Sequence, residues 1–174
     1  MIFIEDLKYK IKCYYGEYSP NNLFRILRTD GTSAMFIYRV SQFLRNNHMS
    51  IFSVFFCSIN RIMNGCWIGR NANFDSGFVI MHPYGIVINS DIKGGKNIVI
   101  QSGVVIGVRR QGESKAVPSL GNNIFIGTGA KLLGKITIGN NVTIGANAVI
   151  VTDVPDNVTV VGVPGRIVKR VNDL

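Results

Sequence analysis

The chain has 174 residues and a formal net charge of +9, from 19 Lys and Arg against 10 Asp and Glu. That length suits one domain with its own core plus a small appended piece. The positive balance suits an anionic partner, but no basic run exceeds two residues and no helix-turn-helix, zinc-finger or RNP-type motif is present, which argues against nucleic acid.

Residues 1–65 form the first region and are expected to be α-helical. Ser33–Asn46 places Phe36, Ile37, Val40, Phe43 and Leu44 on one helical face, with Arg39 and Arg45 elsewhere. Residues 51–63, IFSVFFCSINRIM, are apolar on nearly all sides until Arg61. A bilayer-spanning helix needs about 20 such residues, so this run is too short to cross. Two readings stay open: a helical hairpin packed on the base of the C-terminal region, or a basic, amphipathic surface in peripheral contact with the inner leaflet. His48, between the two helices, is read as a solvated loop residue. Glu5 and Asp6 interrupt the first apolar residues, so no signal peptide is expected. Cys13, Cys57 and Cys66 lack CxxC or metal spacing, which points to a reduced, cytoplasmic setting without a metal site.

From Ile68 onward, large apolar residues recur every six positions: Ile68, Phe74, Ile80, Ile86, Ile92, Ile98 and Val104, then Leu120, Ile126, Leu132, Ile138, Ile144 and Ile150. Small or branched residues such as Ala72, Ser102, Ala130, Val142 and Ala148 often take the fifth position of the unit. Neither a 3.6-residue helix nor an alternating strand gives a strict six, whereas a coil of short strands with tight corners does. Stacked coils would build a continuous column of inward side chains. The step of 16 from Val104 to Leu120 is not a multiple of six, so residues 108–119, VRRQGESKAVPS, are expected to leave the coil as an excursion loop.

The stretches LGNNIFIGTGAKLLGKITIGNNVTIGANAVIVTDVP and VVGVPGRIVKR resemble the hexapeptide-repeat acyltransferases, and the match covers residues 66–171. The resemblance implies a mainly β fold, a left-handed parallel β-helix of hexapeptide repeats with a short α-helical N-terminal region. The hand comes from the resemblance alone, since the usual crossover rule favours the opposite one. It further implies a homotrimer with active sites between neighbouring prisms, walled in part by the excursion loop.

Within this frame the segment VIMHPYGIVIN, residues 79–89, stands out because it carries His82. A neutral imidazole, with an ordinary pKa near 6.5, can take a proton from a hydroxyl as that hydroxyl attacks a thioester, then return it to the departing thiol. The segment is similar to the catalytic segment of serine acetyltransferases, and His82 aligns with the catalytic histidine there. Two positions depart from that pattern. Met81 stands where those enzymes carry an aspartate, and Val117-Pro118 stands where they carry a second histidine before proline.

The run His82-Pro83-Tyr84-Gly85-Ile86-Val87-Ile88-Asn89, together with FIYRVSQFLRNN, resembles more closely the polysaccharide branch of the superfamily, such as the colanic acid biosynthesis acetyltransferase. The first expectation is therefore an acetyl-CoA-dependent O-acetyltransferase acting on a sugar hydroxyl in capsule, exopolysaccharide or O-antigen biosynthesis. The alternative is a serine O-acetyltransferase of cysteine biosynthesis. A non-enzymatic scaffold and an amino-sugar N-acylating enzyme are further readings. A zinc-dependent relative would need three histidine ligands per site, and the chain has two histidines in all.

The resemblance makes acetyl-CoA the donor. Its phosphates and pantetheine arm call for basic groups and open backbone amides. Thr128 and Ala146, 18 apart, would stack beside Gly127, Gly129 and Gly145, and with Thr152 would line the pantetheine. The ending GVPGRIVKR resembles the family's closing motif, in which Arg166 and Lys169 would meet the nucleotide.

Overall fold

The computed structural model describes residues 2–110, 112 and 116–170, the side chains of 169 and 170 excepted. Helices α1 (Ile2–Tyr15), α2 (Leu23–Leu27), α3 (Thr32–Asn46) and α4 (Ser50–Asn64) come first. From Trp67 onward, short strands wind into a three-faced coil. Face A stacks Trp67–Ile68, Val87–Ile88, Val105–Gly107, Lys131–Leu133 and Val149–Ile150, all parallel. Face B stacks Asn73–Phe74, Lys93–Gly94, Ser119–Leu120 and Thr137–Ile138. Face C stacks Val79–Ile80, Ile98–Ile100, Ile124–Ile126, Thr143–Ile144 and Val158–Val161, closed by the antiparallel Arg166–Arg170.

Each unit of the coil buries two side chains rather than one. Ile68, Phe74, Ile80, Ile88, Ile100 and Ile106 point inward from the strands. Cys66, Ala72, Phe78, Ile86, Ile98 and Val104, two residues earlier in each case, fill the corners. This pairing corrects the single six-residue phase read from Ile68 to Val104. Ile68 pairs with Ile88, 20 residues on, whereas Ile88 pairs with Ile106 at the regular 18. Two extra residues therefore sit between Ile80 and Ile88, in the corner that holds His82. The large apolar residues at 86, 92, 98 and 104 are the corner row, and they conceal the shift. A second break separates Ile106 from Leu132, paired at a spacing of 26, and contains the expected excursion. The excursion ends at Pro118, because Ser119 already pairs with Lys93. Its residues 111 and 113–115 lie outside those described.

The lower end of the coil exposes backbone groups that have no strand beneath them, and the helices satisfy these with side chains. Tyr38 Oη donates to Ala72 O and accepts from the Phe74 N–H, both at 3.1 Å. Arg39 donates to Phe74 O at 2.7 Å and Asp75 O at 2.6 Å, and to both oxygens of Asp6. Asp6 in turn accepts from the N–H groups of Gly77 and Phe78 at 2.8 and 3.0 Å. The capping function rotates α3 away from the face expected from its apolar pattern, of which Ile37 stays buried and Val40 and Leu44 are half-buried. Arg39 and Gln42 are buried, while Phe36 and Phe43 are exposed. Helix α4 likewise turns Ile51, Phe55 and Ile62 outward and buries Ser53, Asn60 and Asn64. Among the described residues no helix is long and apolar enough to cross a membrane.

Candidate active site

The edge between faces C and A gathers most of the candidate residues. On successive turns the chain crosses this edge at Met81–Ile86, Gln101–Val104, Gly127–Ala130 and Gly145–Ala148. A backbone ladder climbs it: Gly85 N–H to Gly65 O, Gly103 N–H to Tyr84 O, Gly129 N–H to Ser102 O and Asn147 N–H to Thr128 O, at 2.8 to 3.0 Å. Tyr84 thus occupies the rung that Ser102, Thr128 and Ala146 occupy above it. The two inserted residues, His82 and Pro83, bulge out of the ladder just before that rung. Gly129, at φ +73°, keeps the edge tight, since a Cβ there would stand 2.2 Å from Asn147 Oδ1.

His82 is about half exposed, with its ring at an open corner. Its Nδ1 lies 3.3 Å from Oδ2 of Asp30, a residue 52 positions earlier in the loop between α2 and α3. The distance is slightly long for an N–H···O bond, and catalytic contacts often tighten when substrate binds. A carboxylate at Nδ1 fixes the tautomer that leaves Nε2 free to accept a proton. Sequence reasoning missed Asp30 because nothing local links it to His82.

Three elements place Asp30. Gly31, at φ +76°, packs so closely on Ile80 that a Cβ would stand 2.2 Å from its carbonyl oxygen. The Lys10 ammonium from α1 donates to the carbonyls of Asp30 and Ile80 and to Thr32 Oγ1. Thr32 Oγ1 donates onward to Ile26 O at 2.8 Å. Burial lowers the Lys10 ammonium to about 8, a shift that the nearby Asp30 carboxylate opposes.

Thr128 and Ala146 are exposed on the same edge as His82, one and two coils above Ser102. Adjacent coils are separated by about 4.8 Å, so the edge is a track of roughly 15 Å from the His82 corner to Ala146. Among the described residues neither the Thr128 N–H nor the Ala146 N–H meets a protein acceptor, which leaves both open to a ligand. Arg166 follows the turn at 162–165 and is exposed beside Val161, at the upper end of this edge. Thr152 lies elsewhere, at the next corner, between face A and Val154. It neighbours Val151, whose carbonyl accepts from Arg109 at the root of the excursion. The Lys169 side chain is outside the described residues. Two shallow depressions, one lined by Tyr9, Cys13, Met81 and Phe125 and one by Lys8, Lys12, Ser76 and Asn97, do not include His82. Among the described residues no three His, Cys, Asp or Glu side chains are grouped to hold a metal ion.

Residues 118–152 match the family described as bacterial transferase hexapeptide (six repeats). The serine acetyltransferase of Staphylococcus aureus strain MSSA476 is 34% identical over 173 residues, spanning 98% of this chain and 80% of that protein. The chain belongs to the serine acetyltransferase family. The Synechococcus elongatus member is 36% identical over 150 residues, which cover 86% of this chain but 62% of the relative. The crystal structure of the Brucella abortus serine acetyltransferase in complex with coenzyme A superposes with a TM-score of 0.87 at 26% identity, over 97% of this chain and 67% of that one.

Membership in the serine acetyltransferase family corrects the closer likeness to the polysaccharide branch drawn from the His82–Asn89 run and FIYRVSQFLRNN. That likeness rested on two short runs, one at the His82 corner and FIYRVSQFLRNN in α3, whereas the match to the Staphylococcus enzyme covers 98% of this chain. The two departures from the serine acetyltransferase pattern stand in a consistent structural setting. Met81 and Val117 are both half-buried and pack on the coil's core. Where position 81 lacks a carboxylate, Asp30 supplies one to His82 from another element.

Proposed function

We propose that this chain is an acetyl-CoA-dependent serine O-acetyltransferase in which His82 is the general base. Family membership supports the activity, and the observation that carries the assignment to residues is the position of His82 on the edge it shares with Thr128 and Ala146. The family also supports left-handed winding of the coil and a homotrimer. An open imidazole on an edge is what a site completed by a neighbouring prism would leave in one chain.

In this reading the pantetheine arm lies along the C–A edge against the free N–H groups of Thr128 and Ala146, and Arg166 meets the nucleotide's phosphates. Thr152, at the next corner, would have to reach this ligand from the side. Asp30 holds Nδ1 of His82, so Nε2 faces the acceptor. His82 takes the proton of the serine hydroxyl as its oxygen bonds to the thioester carbonyl carbon. Collapse of the tetrahedral adduct breaks the carbon–sulfur bond, and His82 returns the proton to the departing thiolate. No Cys or Ser is needed as an acyl carrier, so transfer is direct, within a ternary complex.

The test is thiol release from acetyl-CoA with L-serine, nucleotide sugars and polysaccharide fragments as separate acceptors, on the unaltered chain and His82→Ala. Serine-dependent release that falls at least about 10²-fold in His82→Ala is expected. Release with a sugar but not with serine would overturn the acceptor, and undiminished release by His82→Ala would overturn the base.

A further inference from the structure

We propose that Lys10 is a positioning residue for the His82–Asp30 pair, acting from inside the protein through the backbone on either side of it. The inference rests on the reading of His82 as the base. Lys10 is fully buried, although it comes from α1, far in sequence from the coil. An ammonium has three N–H donors, and here three acceptors meet them: Asp30 O, Thr32 Oγ1 and Ile80 O. Two of these acceptors flank the site directly. One is the carbonyl of Asp30 itself, and the other belongs to the residue two before His82.

The Asp30 carboxylate is mostly exposed, and His82 Nδ1 is its one side-chain partner among the described residues. Its position is therefore set by its backbone, and Lys10 ties that backbone to the coil. Ile80 lies on the lowest strand of face C, so its carbonyl has no coil beneath to donate to it. Lys10 supplies that donor and makes the Asp30–Gly31 turn part of the same hydrogen-bonded cluster. The groups facing the ammonium are the Asp30 carboxylate, the Cys13 thiol and the Tyr14 ring, whose centroid is 5.9 Å away. Without the ammonium, buried carbonyls lose their donor, and the turn has reason to lift away from Ile80. Displacements of about 1 Å at a reacting centre can cost as much as 10²-fold in rate.

The test uses Lys10→Met, which keeps the buried stem, alone and combined with Asp30→Asn. In the unaltered background Lys10→Met is expected to lower kcat with serine roughly tenfold while changing KM for acetyl-CoA less than about twofold. In the Asp30→Asn background it is expected to cost less than about twofold more, because the carboxylate it positions is already gone. An equal loss in both backgrounds would make Lys10 a general structural residue and overturn the proposal. Thr32→Val, which keeps the ammonium and removes one of its three acceptors, repeats the same cycle if Lys10→Met does not fold. A crystal structure of whichever variant folds gives a readout independent of activity. Separation of the Asp30 carboxylate from His82 Nδ1 beyond about 4 Å is expected, and an unchanged pair would overturn the proposal. If the unaltered chain shows no serine-dependent release, the serine reading alone fails, and that structural comparison decides the role of Lys10.

Discussion

Asp30 Oδ2 stands 3.3 Å from His82 Nδ1, joining a helix–helix loop to the lowest C–A corner of the coil. The contact gives His82 a carboxylate partner although the residue before it is Met81. It also leaves Nε2 as the ring nitrogen free to accept a proton. Asp30→Asn keeps the size of the side chain and removes its charge. The variant is expected to lose roughly 10- to 100-fold in kcat, with its folding unaffected because the carboxylate is mostly exposed. Steady-state kinetics with saturating acetyl-CoA and a thermal melt separate these effects. Full activity would mean that the two groups only happen to lie side by side.

A different signature is expected at the upper end of the same edge. Arg166 is exposed there, about five coils above the corner of His82, and is proposed to meet phosphate groups remote from the reacting atoms. Arg166→Ala should raise KM for acetyl-CoA several-fold, roughly 3- to 30-fold, and leave kcat nearly unchanged. Raised salt should weaken acetyl-CoA binding by the unaltered chain more than by the variant. A fall in kcat without a change in KM would place the Arg166 side chain near the chemistry instead.

The coil itself was legible because a strict six-residue period admits few other folds. Its register was not, and the reason lies in two named rows. Ile88, Ile100 and Ile106 line the interior from the strands, but Ile86, Ile98 and Val104 fill the corners and are just as apolar. A pattern that counts apolar residues can jump from one row to the other without missing a beat, which hid the two-residue bulge at His82-Pro83. The cap was illegible for the opposite reason. Helix periodicity assumes that the buried face is the apolar one, whereas α3 buries Tyr38, Arg39 and Gln42 because the coil's last backbone groups need donors and acceptors. Asp30 and Lys10 belong to that cap, so the residues nearest to His82 in chemistry were the farthest from it in pattern.

Within the cap, Asp6 and Arg39 form a fully enclosed pair, with Arg39 Nε 2.7 Å from Asp6 Oδ2. Burial pushes the Asp6 carboxyl above its ordinary value, against the pull of the Arg39 guanidinium and the two N–H groups it accepts. Arg39→Met would leave that carboxylate with only the N–H groups of Gly77 and Phe78, and would orphan the carbonyls of Phe74 and Asp75. The expected cost is about 3–5 kcal/mol, read as a lower urea midpoint. Adding Asp6→Leu should recover part of this loss, since no buried charge then remains. If the double variant is less stable than Arg39→Met alone, the N–H groups of Gly77 and Phe78 matter more than the charge.

Alkaline pH should unfold the chain through the lowest coil. Cys66 has no exposed surface, and burial pushes its thiol up to about 12. Burial also pushes Tyr38 up to about 12, a shift the Arg39 guanidinium opposes. The folded chain therefore keeps both protons where the unfolded chain sheds them, from about 9 for a cysteine and 10 for a tyrosine. Stability from these two groups is complete below pH 9 and is lost as pH rises toward 12. Lys10 acts in the other direction. Its ammonium is lowered to about 8 from an ordinary 10.5, so between those values the unfolded chain binds the extra proton and stability rises with pH. Cys66→Ala should accordingly lose stability less steeply than the unaltered chain between pH 9 and 11, and Lys10→Met more steeply. Each group changes the slope by at most about 1.4 kcal/mol per pH unit. Urea midpoints taken across that range decide the matter: a Cys66→Ala slope equal to the parent's would mean that the thiol ionises in the folded chain as readily as in the unfolded one.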